Sequence, residues 1–182
     1  LIRTNPNNVN AYLNVVSLYR NQATEAADQA VKNEMNAKAI ATMNQLIAIA
    51  PNNPMAYLNL ASIYLAQSNN VQAEKNANAT IQRDPSLYQP YMILATVSQS
   101  KGTLDYNRFA DLEKRAAAAV GRQATTLSRE RDAAKASANN HFRTAVTHLN
   151  TARTLSSEPE ILRDIQTRLN SLSNLVSATT GY

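Results

Sequence analysis

Pro51-Asn-Asn-Pro-Met-Ala-Tyr57-Leu-Asn-Leu60-Ala61-Ser-Ile-Tyr64 restates Pro6-Asn-Asn-Val-Asn-Ala-Tyr12-Leu-Asn-Val15-Val16-Ser-Leu-Tyr19. Two stretches that superpose in this way are an internal repeat, and a repeat decides the fold because each unit must bury its apolar face on a neighbour. The later copy runs on through Ala73, Ala77 and Thr80 to Pro85, which lies 34 residues after Pro51. That period points to paired helices, stacked pair on pair.

Residues 54–87 carry the pattern most fully, with Tyr57, Leu60, Ala61 and Tyr64 on a first helix, Ala73, Ala77 and Thr80 on a second, and Pro85 closing the unit. This spacing resembles a tetratricopeptide repeat. Two positions depart from the family pattern: Ala77 stands where a large aromatic is usual and Thr80 where Ala is usual, so the knob between neighbouring second helices is small. Counting back from Pro51 puts Ala39, Met43 and Leu46 on the second helix of a preceding repeat, residues 9–53, whose first helix holds Tyr12, Val15, Val16 and Tyr19. Tyr12 and Tyr57 are 45 residues apart instead of 34, so eleven extra residues fall within 20–34. That segment has no Gly or Pro and is rich in Ala, Glu and Gln, which favour helix, and it reads as three added turns lengthening the hairpin.

A third repeat, 88–116, opens with Tyr88, Tyr91, Leu94 and Ala95, places Gly102 at the expected turn, and continues in a second helix over 105–116. After it the resemblance fades, although His141, Ala145, Leu149 and Ala152 again read as a second helix. Residues 117–156 divide best as two long helices meeting near Gly121. The resemblance implies an all-α, tetratricopeptide-like α-solenoid of antiparallel helix pairs with elongated hairpins. Residues 1–116 form its repeats, and 117–182 form a long-helix region with a degenerate repeat and a C-terminal capping helix.

Turn chemistry supports these boundaries. Asn7-Asn8, Asn52-Asn53, Asn69-Asn70 and Asn139-Asn140 recur where chains turn, since the amide caps helices and tolerates left-handed backbone. Asn53 before Pro54 is a helix start, and Ser157-Glu158-Pro159-Glu160 reads as a capping box that opens the last helix near 158. Along that helix Ile161, Ile165, Leu169, Leu172 and Val176 make one apolar stripe. Such a stripe covers the end of a helical array or forms an end-to-end interface with a second copy.

The net charge is +5, with six basic residues against five acids in 1–100 and twelve against eight in 101–182. The basic residues are interleaved with acids, as in Glu113-Lys114-Arg115 and Arg129-Glu130-Arg131-Asp132, which describes a solvated helix face and disfavours nucleic acid as partner. Without cysteine there are no disulfides, thiol catalysis or Cys-based zinc sites, and no run of 18 apolar residues exists to span a membrane. Leu1-Ile-Arg-Thr-Asn-Pro6 matches Ile81-Gln-Arg-Asp-Pro85, as if the chain opened at the end of a second helix. With no initiating Met, the natural protein is expected to extend upstream. An amide- and hydroxyl-rich, Lys-poor surface suggests an exported bacterial protein, periplasmic or extracellular, with the cytoplasm as the alternative.

Catalytic motifs are absent. Three Gly cannot build a phosphate-cradling loop, and His141 and His148, seven apart, are two turns from each other where helical metal pairs sit one turn apart. Asp105, Asp111, Glu158 and Glu160 read as helix N-terminal carboxylates that complement the macrodipole. The Asn78-Ala-Thr80 sequon falls inside a helix and is discounted. No cofactor is expected.

In the family the chain resembles, the first helices of successive repeats line a peptide-binding groove. The corresponding residues are Asn10, Leu13, Asn14, Ser17 and Arg20 in the first repeat, Met55, Leu58, Asn59 and Ser62 in the second, and Gln89, Met92, Thr96 and Gln99 in the third. Members that hold acidic chaperone tails use a clamp of Lys, Arg and Asn there, of which the groove offers only Asn14, Asn59 and one cation, Arg20, so that specificity is not expected. Apolar residues mixed with amides suit an extended peptide or a helix. The expected function is that of a non-enzymatic scaffold that binds a protein or peptide while a complex assembles in a bacterial envelope or outside the cell. The rival is a structural subunit stacking with copies of itself into rings or filaments.

Overall fold

The computed structural model describes residues 2 and 7–180, whose regular elements are all helices with no strand among them. The elements are α1 (Val9–Glu25), α2 (Gln29–Ile49), α3 (Pro54–Ala66), α4 (Asn70–Arg83), α5 (Gln89–Ala118), α6 (Gly121–Leu155) and α7 (Pro159–Thr180). They gather into two compact units, 1–93 and 94–182, with the boundary falling inside α5. The expected kinship of the opening hexapeptide with 81–85 lies outside the described residues, apart from Ile2.

In the first unit, α1 pairs with α2 and α3 with α4. The repeat spacing explains both hairpins. Their first helices start 45 residues apart, at Val9 and Pro54, and their second helices end 34 apart, at Ile49 and Arg83. All eleven extra residues therefore lie at the tip of the first hairpin: α1 has 17 residues against 13 in α3, and α2 has 21 against 14 in α4. The insertion does lengthen the hairpin, and it is shared between both arms.

Amides open these helices as the turn chemistry requires. Asn8 Oδ1 accepts from Ala11 N at 3.3 Å, Asn53 Oδ1 from Met55 N at 2.9 Å, and Asn69 Oδ1 from Gln72 N at 3.2 Å. Asp28 does the same for α2, accepting from Ala30 N at 2.7 Å. The core joins Tyr12 and Val16 to Ala39, Met43 and Leu46, then to Ala56, Leu60 and Ile63 of the next hairpin. Its register residues Ala39, Met43 and Leu46 are completely buried. Tyr57 and Tyr64 pack against the edge of this core. One tie had no periodic signature in the sequence: Arg83 donates to the carbonyl oxygens of Pro51 (2.9 Å) and Ala79 (2.8 Å) and to Tyr57 Oη (2.9 Å), and lies 3.7 Å from the centre of the Tyr57 ring.

The second unit corrects the reading of the third repeat. Gly102 does not turn the chain, because α5 continues through it to Ala118. It stands where Phe142 of α6 packs, and a Cβ at that position would meet the ring at 2.6 Å. The small residue answers a bulky neighbour on the facing helix. Asp105 and Asp111 consequently sit in the middle of α5 and not in a first turn, and their partners are side chains instead of a helix dipole. Ser137 Oγ donates to Asp105 Oδ2 at 2.6 Å, and Arg115 Nη1 donates to Asp111 Oδ2 at 3.3 Å. The turn comes at Gly121, with φ of +63° in open space, and the two long helices meet there as expected. Asn139-Asn140 makes no break; Asn139 Nδ2 instead donates to Thr179 Oγ1 at 2.8 Å, holding α7. At the α6–α7 junction Ser156 Oγ accepts from Glu158 N at 3.3 Å, one residue before the expected capping serine. Phe142, Ala145, Leu149 and Ala152 of α6 are fully buried.

Candidate functional site

The first two helical hairpins place the leading groove residues on α1 and α3. Asn10, Asn14, Ser17 and Arg20 are exposed, Leu13, Met55, Asn59 and Ser62 are partly buried, and Leu58 is buried. Neighbouring turns of the two helices are bridged directly: Arg20 Nη1 donates to Asn59 Oδ1 at 3.0 Å, while Asn59 Nδ2 donates to the Met55 carbonyl oxygen at 2.9 Å. Asn59 therefore positions a cation, whereas Asn14 stands exposed one turn before Ser17. The third set lies along α5. Gln89 and Met92 fall within the first unit and Thr96 and Gln99 within the second, all partly buried. Thr96 Oγ1 accepts from Arg168 Nη2 of α7 at 2.8 Å. Burial pushes the Arg168 guanidinium below the ordinary arginine value, with Asp164 opposing.

Beside Arg20 the lengthened hairpin opens a cleft of about 300 Å³ between α1, α2 and α3. Arg20, Thr24, Lys32, Asn36 and Ser62 supply its polar lining, over Ala23 and Ile63. Lys32 and Asn36 were missing from the sequence-based groove because they belong to α2, a second helix, and Thr24 because it stands beyond the regular end of a first helix. Chain distance hid the association: Ser62 is 30 residues from Lys32.

The apolar stripe of α7 faces α6. Ile165 and Leu172 are completely buried there, so these two side chains are not presented to a second copy, while Ile161, Leu169 and Val176 are partly buried. Leu169 and Val176 border a second cleft with Arg143 and Val146 of α6. His141 Nε2 lies 3.6 Å from Asp105 Oδ2, on the oxygen that also takes the Ser137 hydroxyl. That hydroxyl is directed at the carboxylate and not at the imidazole, so the three groups do not form a nucleophile-and-base relay. Among the described residues no three His, Asp or Glu are grouped to hold a metal ion, and no helix is long and apolar enough to cross a membrane.

A family model described as "Tetratricopeptide repeat" matches residues 42–75. The match starts in α2, takes in all of α3 and ends in α4, so it covers the junction between the two hairpins of the first unit. No curated protein matches the chain. The matched stretch, the 34-residue spacing and the antiparallel helix pairs together show a tetratricopeptide repeat in the first unit of this all-α chain.

Proposed function

We propose that the chain is a non-enzymatic scaffold that binds a protein segment across the first helices of its hairpins and so brings components of a complex together. The observation that carries this reading is the α1–α3 surface, where exposed amides and hydroxyls alternate with the partly buried side chains of Leu13 and Met55. Such a surface can bond a peptide backbone and take up its side chains. Protein partners are what the repeat family suggests. The interleaved charges of α5 and α6 favour protein over nucleic acid. The scarcity of Lys and abundance of amides motivate a bacterial, periplasmic or extracellular setting; fractionation of the native organism, with recovery in the cytosol, would refute that part.

The experiment for binding is a recovery of partners from the native organism with the chain and with an Asn14→Ala, Arg20→Ala variant. Because both side chains are exposed, the variant should melt nearly as the parent does while losing the partner. Equal recovery would remove the α1–α3 surface from the function. The rival, self-assembly through α7, would leave Ile161, Leu169 and Val176 as the remaining apolar contacts of its stripe. Light scattering separates the two, since a scaffold gives a discrete mass and a filament subunit a growing one.

A further inference from the structure

The hairpin formed by α1 and α2 overhangs α3, which stops at Ala66 while α1 continues past the matching position to Glu25. The cleft beside Arg20 is the ledge left by that mismatch. Thr24 and Lys32 belong to the added turns and have no counterpart in α3 and α4. No carboxylate is among the described residues that line it. Glu25 borders a different depression of the hairpin, with Val31 and Met35, and Glu34 is paired with Lys38 at 2.6 Å. The hydrogen bond from Lys38 to Glu34 holds that ammonium above the ordinary lysine value, so this neighbouring pair is self-satisfied.

Apart from Asn36, whose amide can both donate and accept, donors and acceptors in the ledge are sorted. Thr24 Oγ1 donates to the Arg20 carbonyl oxygen at 2.9 Å and Ser62 Oγ to that of Leu58 at 3.0 Å. Each hydroxyl has its single proton committed one turn back along its own helix, so towards a ligand it can only accept. Arg20 and Lys32 can only donate. One arm of the Arg20 guanidinium is fixed by Asn59, which reduces the freedom lost when the others engage a ligand. A matching ligand must bring negative charge and N–H donors side by side. An acidic stretch of polypeptide has both, carboxylates along a backbone of amides, whereas phosphate brings the charge with no adjacent N–H.

We propose that this ledge selects an acidic segment of the protein partner, Arg20 and Lys32 meeting its carboxylates and Thr24 and Ser62 accepting from its backbone N–H groups. The proposal rests on the reading that the first unit binds a protein segment, and it adds the chemistry of that segment and the purpose of the added turns.

The test is an array of short synthetic peptides, equal in length and graded in net charge, probed with the intact chain and with Lys32→Glu. Acidic peptides should bind the parent best, and the charge reversal should weaken them by on the order of tenfold while leaving neutral peptides unchanged. Binding that ignores charge, or prefers basic peptides, overturns the ledge proposal and leaves segment binding standing; binding to no peptide overturns both. If inorganic phosphate displaces the acidic peptides more strongly than sodium chloride at equal ionic strength, the cleft is a phosphate site and the proposal fails. Should Lys32→Glu misfold by circular dichroism, the charge preference of the parent and the phosphate competition still decide.

Discussion

Arg83 directs its guanidinium at three acceptors while lying over the Tyr57 ring, which ties the end of α4 to the start of α3. Lysine keeps the charge and loses the planar fork, so Arg83→Lys should destabilise the first unit by about 1–2 kcal/mol in urea unfolding; an unchanged midpoint would contradict the tie. Gly102 poses an opposed pair of effects. Alanine is about 1 kcal/mol better than glycine inside a helix, but overpacking against a rigid ring costs about 1–3 kcal/mol. With a ring atom 2.6 Å from the would-be Cβ, the clash should win, and Gly102→Ala should lower stability unless Phe142→Leu is added to make room. A stabilised single variant would show that the ring yields. Ser68 is the reverse case, a non-glycine residue at φ of +57° in the α3–α4 turn. Left-handed backbone costs an L-residue roughly 1–2 kcal/mol, so Ser68→Gly should raise the melting temperature, and a lower one would place the strain elsewhere.

At the scale of elements, the hairpins were legible wherever packing repeats. Ala39 and Ala73, and Met43 and Ala77, keep the 34-residue offset, and all four are completely buried in the second helices of successive hairpins. Gly102 misled for a physical reason: a glycine at turn register and a glycine beneath an aromatic ring look alike until the facing helix is known. The insertion gives a sharper prediction than its sequence allowed. Its four residues in α1 and seven in α2 are about one and two helical turns, so removing them separately keeps the apolar faces in phase. Deleting 22–25 together with 29–35 should leave α3 and α4 folded, reduce helicity in proportion and abolish the cleft. A single deletion of 24–34 takes unequal amounts from the two arms and should be far more damaging. Equal thermal stability of the two deletions, measured by circular dichroism, would contradict the placement of the added turns.

For the whole molecule, the candidate site was only partly legible. Asn14, Arg20, Met55 and Asn59 follow from repeat register, but Lys32 and Asn36 join them through a contact between helices that no period records. Likewise Thr96 has register alone in the sequence, and its partner Arg168 comes from the last helix. The central claim, that a protein segment lies across α1 and α3, is tested most directly by hydroxyl-radical footprinting of the chain with and without its recovered partner. Met55 is partly buried on that surface, whereas Met43 is fully buried in the core and serves as an unreactive reference. The account predicts that the partner suppresses oxidation of Met55 and Leu13. Unchanged labelling of both, with protection confined to residues 94–182, would contradict it.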